Sequence, residues 1–217
     1  MTVRAWRWTL AGSTLLLLAL PLAVFWVKTA PLSFYFGDSF PPGQAIYIMM
    51  RPAGHLAYVL LFLQIVLGLH GKDLARLAGV PTLLPLHKAM AIPTLGAVFA
   101  HPLLFWWAAS VRTGHNTFLN TFWPDPMRNY WTWYFFFGAL AFYGVVLAVL
   151  AALVGPRLLP RAWRVIHGLT YVSFGLAWYH SRATGAEVRD QGLGVLYTAM
   201  ALMAAGMLLR RLVSRRD

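Results

Sequence analysis

Four of the seven histidines stand in pairs on two apolar segments. One segment reads LHKAMAIPTLGAVFAHPLLFW and holds His87 and His101; the other reads WRVIHGLTYVSFGLAWYHSRATG and holds His167 and His180. The partners lie 14 and 13 residues apart, which is about 20 Å along a helix axis. An ionisable side chain inside an apolar helix is expensive and marks function by default. A neutral imidazole in such a place can bind a metal through one ring nitrogen. If the two segments run in the same direction, His87 faces His167 at one depth and His101 faces His180 at the other. That is a ligand set for two haems, each held between two imidazoles and stacked across an apolar layer. His87, His167, His101 and His180 are the expected metal ligands.

Helical phase tests this arrangement. Fourteen residues at ~100° each return to within about 40° of the starting face, whereas thirteen miss by about 140°. The second segment therefore needs local tightening toward a 3₁₀ turn, or haems presented at different azimuths. Gly168 and Gly175 lie between its histidines and permit such distortion. The absence of cysteine excludes Cys-ligated iron–sulfur clusters, covalent c-type haem and disulfides, and leaves histidine and methionine as haem ligands.

The elements that position these residues are membrane spans. The 217 residues are 59% hydrophobic and only 11% charged, with a mean hydropathy of +0.62; a soluble domain keeps roughly a quarter of its residues charged. Six stretches, at about 9–27, 47–70, 88–109, 131–154, 165–181 and 191–209, approach the length that crosses ~30 Å of hydrocarbon. The expected fold is an all-α bundle of six transmembrane helices forming one domain over 1–217. The first stretch has a basic start and a long apolar core, and is read as a retained span.

The net charge of +12 is a topology signal. With alternate loops on opposite sides, one side receives twelve cations against Asp73 and Asp217. The other receives six cations against Asp38, Asp125, Glu187 and Asp190. The bias places both termini in the cytoplasm of a multi-pass protein of the inner (plasma) membrane, and no nucleic-acid partner is expected. Aromatic clusters in the outer loops, Phe34–Phe36 and Phe122 to Trp133, read as an interfacial belt.

Haem propionates need cations near the membrane surfaces. Lys88, Arg161 and Arg164 stand beside the inner histidines; Arg51, Arg112 and Arg182 stand near the outer level. His55, His70 and His115 are read as structural or solvated, with His55 at a depth close to the outer pair.

The pairing His87-Lys88 with His101, the run Trp163-x3-His167 with Tyr171 and His180, and Arg51-x-x-Gly54 followed by Gln64 and Gly68 resemble the ferric reductase-like transmembrane domain. That family includes ferric reductases, NADPH oxidase membrane domains and the haem-binding membrane subunit of the periplasmic methionine sulfoxide reductase system. The resemblance implies two b haems, with electrons passing from the cytoplasmic side to an outer acceptor: ferric iron, oxygen or a periplasmic redox partner. Larger members carry flavin and nicotinamide domains after the sixth span. This chain ends at RRLVSRRD without a G-x-G-x-x-G motif, so the expected donor is a separate flavin reductase, bound FMN or FAD, or a membrane quinol. Phe105 stands where oxidase members carry a histidine. Two other readings compete. One is a quinol-linked dihaem cytochrome b, with His55, His70 or Gln64 anchoring a quinone. The other is a haem-free transporter or structural subunit whose histidines relay protons or join helices.

Overall fold

The apolar stretches are helical in the computed structural model, which describes residues 2–37, 39–158, 160–189 and 192–213. Helix α1 spans Val3–Lys28, α2 Gln44–Ala78, α3 Leu84–Thr113, α4 Phe118–Phe122 and α5 Tyr130–Leu158. They are followed by α6 (Trp163–His167), α7 (Leu169–Thr184), α8 (Ala186–Arg189) and α9 (Leu193–Val213). A 3₁₀ turn at Leu32–Phe36 joins α1 to α2. No strand occurs among the described residues. Asp38, Asp190, Arg215, Arg216 and Asp217, counted in the charge bias, and Gln191, the first residue of the expected last span, lie outside them.

Five helices, α1, α2, α3, α5 and α9, are long and apolar enough to cross a membrane. The chain is an all-α membrane protein. The expected fifth span differs: it is divided into α6 and α7, and α7 alone has 16 residues, short of the ~20 a crossing helix needs. The division falls at Gly168, whose φ of −63° and ψ of −16° lie near the 3₁₀ region. There the Tyr171 amide donates to the Gly168 carbonyl three residues back, at 3.1 Å. The tightening is in the sense that a thirteen-residue histidine spacing calls for, but at about 20° per residue it covers only a small part of the mismatch.

Helix α2 forms the centre of the bundle. Half of its most apolar window is buried, against 11–28% in the other four long helices. It packs against α1, α3, α7 and α9, and Ala57 to Leu63 are buried without interruption. Tyr58 lies between Tyr197 and Phe174, with stacked ring centroids at 4.1 and 4.7 Å, and its hydroxyl donates to the Tyr197 carbonyl at 2.9 Å. Neighbours on several sides therefore cover the apolar middle of α2.

Helix α5 shows how small residues set close packing. Ala141, Val145, Ala148, Ala151 and Gly155 are buried at helical spacing, while Leu140, Leu147, Leu150 and Leu153 are exposed. The inner stripe lets α7 approach, and the outer leucines match lipid, in which packing of small residues replaces the hydrophobic effect as the force between helices. Prolines 52, 93 and 102 lie inside α2 and α3, where membrane helices tolerate proline better than soluble ones do. Trp123, Tyr130, Trp131 and Trp133 are exposed, as an interfacial belt requires.

The aromatic stack is the most heavily packed point of the bundle. Tyr58→Ala is expected to lower stability by roughly 3 kcal/mol or more, seen as a lower melting temperature in detergent with helical content unchanged at low temperature.

Candidate haem site

The four histidines meet in two pairs, matched as their spacing requires. The ring centroids of His87 and His167 are 6.4 Å apart, and those of His101 and His180 are 6.2 Å apart. The ring planes cross at 85° and 77°. Two metal–nitrogen bonds of about 2 Å, with about 1 Å more from each nitrogen to its ring centre, put centroids about 6 Å apart. Each pair is therefore separated by the width of one coordinated metal ion. Among the described residues no cluster of three or more His, Cys, Asp or Glu side chains could hold a metal ion, and the histidines meet two by two.

The second nitrogen of three of these rings is committed. His101 Nδ1 donates to the Met50 carbonyl at 3.1 Å, His167 Nδ1 to that of Ala148 at 3.1 Å, and His180 Nδ1 to that of Tyr134 at 3.0 Å. A carbonyl can only accept, so each Nδ1 carries the proton and Nε2 is left as the lone-pair nitrogen that binds metal. The carbonyls belong to α2 and α5, the helices beside the two histidine-bearing ones. They sit within helices, where the second lone pair of a carbonyl remains open to such a donor.

Close approach of the outer rings depends on glycine. A Cβ on Gly54 would stand 2.8 Å from His101 Nδ1, and one on Gly138 would stand 2.8 Å from His180 Nδ1. Any larger residue displaces the ring from its carbonyl. Both glycines also line a cavity of about 260 Å³ beside the outer pair, together with His101, His180, Arg51 and Phe105. Its walls are largely apolar, as a porphyrin face requires, and the ring separation, the committed Nδ1 atoms and the open space all fit a haem there.

A polar cluster borders the same cavity. Arg51 is ion-paired with Glu187 and lies 5.6 Å from the Phe25 ring. His55 Nδ1 is 2.7 Å from the Tyr197 hydroxyl, and its Nε2 is 3.5 Å from Glu187 Oε2. Glu187 is 1% exposed. Burial works against its charge, but the contact with His55, its own backbone N–H and the Arg51 guanidinium together hold the carboxyl below its ordinary pKa.

The remaining expected residues fall as follows. Lys88, Arg164 and Arg182 are exposed; Arg164 lies over the Trp163 ring at 5.6 Å, and Arg182 donates to the Val188 carbonyl at 3.1 Å. Arg112 lies over Tyr47 and bonds Gln44. His70 is paired with Asp73 at 3.5 Å near the inner surface, and His115 bonds the Thr113 carbonyl in an outer loop. Neither of these two histidines is partnered with the paired four. Glu187 and Tyr197 were not marked by the sequence pattern; Glu187 stands 136 residues from Arg51, and only folding joins them.

The Arg51–Glu187 pair yields a pH-dependent expectation. A carboxylate with a depressed folded pKa contributes stability that is complete above the ordinary carboxylate pKa and is lost as pH falls through the folded value. Glu187→Gln should therefore cost roughly 3 kcal/mol at neutral pH by leaving Arg51 without its counter-charge. The gap in detergent melting temperature between variant and parent should close as the pH falls below the carboxylate range.

Comparison with curated proteins and with solved structures yields no match. Comparison with protein families matches residues 53–178, more than half of the chain, to the ferric reductase like transmembrane component. That stretch holds His87, His101 and His167 with Gly54 and Gly138, and ends two residues before His180; the chain belongs to the ferric reductase-like transmembrane family.

Proposed function

We propose that this protein carries electrons across a membrane through two b haems, the inner held by His87 and His167 and the outer by His101 and His180. The observation that carries this reading is the double match of ring separations, 6.4 and 6.2 Å, at two depths. Membership of a family of transmembrane redox components supports it. When bound, haem supplies a one-electron Fe(III)/Fe(II) couple at each level.

In this reading the chain's own residues do four things. The Nδ1–carbonyl bonds orient the imidazoles and hold them neutral. Gly54 and Gly138 make room for the outer rings. The apolar walls keep water from the outer site, and the Tyr58–Phe174 stack fills the space between the two levels. Lys88 and Arg164 stand ready for inner propionates and Arg182 for outer ones, while Arg51, paired with Glu187, lines the outer cavity.

The proposed topology keeps six crossings, α6 and α7 together making the fifth, with the chain acting as one domain in the inner membrane. The basic loops then face the cytoplasm with both termini. A separate flavin reductase, bound FMN or FAD, or a quinol donates on that side. Ferric iron, oxygen or a partner reductase accepts from the outer haem edge.

Single-ligand variants test the pairing. His101→Ala or His180→Ala should remove the outer haem alone, and His87→Ala or His167→Ala the inner alone, read as haem per chain with the helical fold intact. Gly138→Leu should behave as His180→Ala, since its side chain takes the position of the ring. Near-perpendicular ring planes also lead us to expect strongly anisotropic low-spin EPR signals from both ferric haems. Loss of both haems from a folded single-histidine variant, or of neither, would contradict the assignment.

A further inference from the structure

The four ligand histidines differ in one respect. Three have an acceptor for Nδ1–H, and His87 has none: its Nδ1 is buried without a hydrogen-bond partner. A second orphan lies on the facing helix. Gln64 on α2 donates through Nε2 to the His87 carbonyl at 3.1 Å, which leaves its Oε1 buried without a partner. Turning the amide over does not help, because it sets oxygen against the carbonyl oxygen of His87. A buried donor and a buried acceptor on two residues already bonded to each other are each costly while unpaired.

The positions of these residues are not accidental. His101 follows His87 by 14 residues on α3, and Gln64 follows Met50 by 14 residues on α2. At the outer level the Met50 carbonyl accepts from His101, and Gly54, one turn on, touches the ring. The same translation carries Met50 to Gln64 and Gly54 to Gly68, and Gly68 does face the His87 ring. The translation also holds on α5, where Tyr134 and Ala148, 14 residues apart, supply the carbonyls for His180 and His167. The inner ring on α2 is more distant, however. A Cβ on Gly68 would be 3.8 Å from His87 Cε1, against 2.8 Å for Gly54 and His101 Nδ1. A main-chain carbonyl serves the ring that touches the helix, and a side-chain carbonyl extends further out.

We propose that Gln64 is the positioning residue of the inner haem: its Oε1 accepts the Nδ1–H of His87 when the haem is bound. The acceptor fixes the Nδ1–H tautomer and makes the coordinating nitrogen more basic, as second-layer partners of metal-bound histidines do. A more basic imidazole favours Fe(III), so the bond lowers the inner potential. An electron entering from the cytoplasmic side then meets the lower-potential haem first. This inference rests on the dihaem reading above and adds a role for a residue that touches neither iron nor substrate.

The test is redox potentiometry of the purified dihaem protein and of two variants, with the inner haem identified in the His180→Ala background. Gln64→Leu keeps the bulk and removes the acceptor; the inner midpoint potential should rise and inner-haem affinity should fall roughly tenfold or more. Gln64→Glu keeps an acceptor and strengthens it; the inner potential should fall. The outer potential should stay in place in both. Shifts of opposite sign confined to the inner haem are a signature that simple loosening of the fold does not produce. An unmoved inner potential, shifts of the same sign, or equal shifts at both haems would overturn the role of Gln64 while leaving the dihaem reading in place. A parent protein that binds no haem would overturn both.

Discussion

An imidazole in hydrocarbon cannot leave its N–H unbonded, and much of this site follows from that constraint. The N–H has no water to turn to, so a neighbouring helix must supply an acceptor. Helix backbones offer carbonyls along their whole length, but only to a ring that lies almost in contact with them. For His101 and His180 that contact relies on glycine, Gly54 and Gly138 standing where the rings press against α2 and α5, whereas His167 reaches the Ala148 carbonyl without one. Once Nδ1 is tied back, Nε2 is aimed away from the carbonyl helix and toward the other histidine. Ligand orientation, tautomer and helix spacing are thus settled by one kind of bond, made three times.

The same helices must also hold together without much help from the hydrophobic effect, since lipid solvates leucine as well as the protein interior does. Close packing does this work. The small-residue stripe of α5 admits α7, and the stacked Tyr58, Phe174 and Tyr197 lock α2 to α7 and α9. Tyr58 and Phe174 also sit at sequence positions about midway between the two histidine levels on their own side of the bundle. Packing and the spacing of the two histidine pairs therefore share residues. On the outer side, the buried Arg51–Glu187 pair with His55 and Tyr197 ties α2 to α8 and α9.

Much of this was legible in the chain. Histidines stand out in apolar runs because burial makes every polar residue conspicuous, and nearly equal spacing on two segments implies two levels. The thirteen-residue interval called for local tightening or for different azimuths, and the helix is divided at Gly168, just after His167. Other features were hidden for physical reasons. The Nδ1 acceptors are main-chain carbonyls, which every residue owns and none advertises. Glu187 was counted as a loop anion and is a buried counter-charge, because its partners Arg51 and His55 come from α2. Helix α2 runs to Ala78, about two turns past its apolar stretch, since a helix outside the hydrocarbon needs no apolar residues to continue. Arg51 stood out as a propionate partner by its place at the end of a span; its ion pair with Glu187 shows that the same cation is already held by the protein.

The central claim is that each histidine pair grips one haem. It is tested most directly by purifying the protein in detergent, recording oxidised and dithionite-reduced absorption spectra, and quantifying haem per chain. The account predicts a red protein with sharp b-type bands on reduction and two haems per chain. A folded protein that is colourless and stays so after reconstitution with haem would contradict it, and the paired histidines would then be helix-joining or proton-relaying groups.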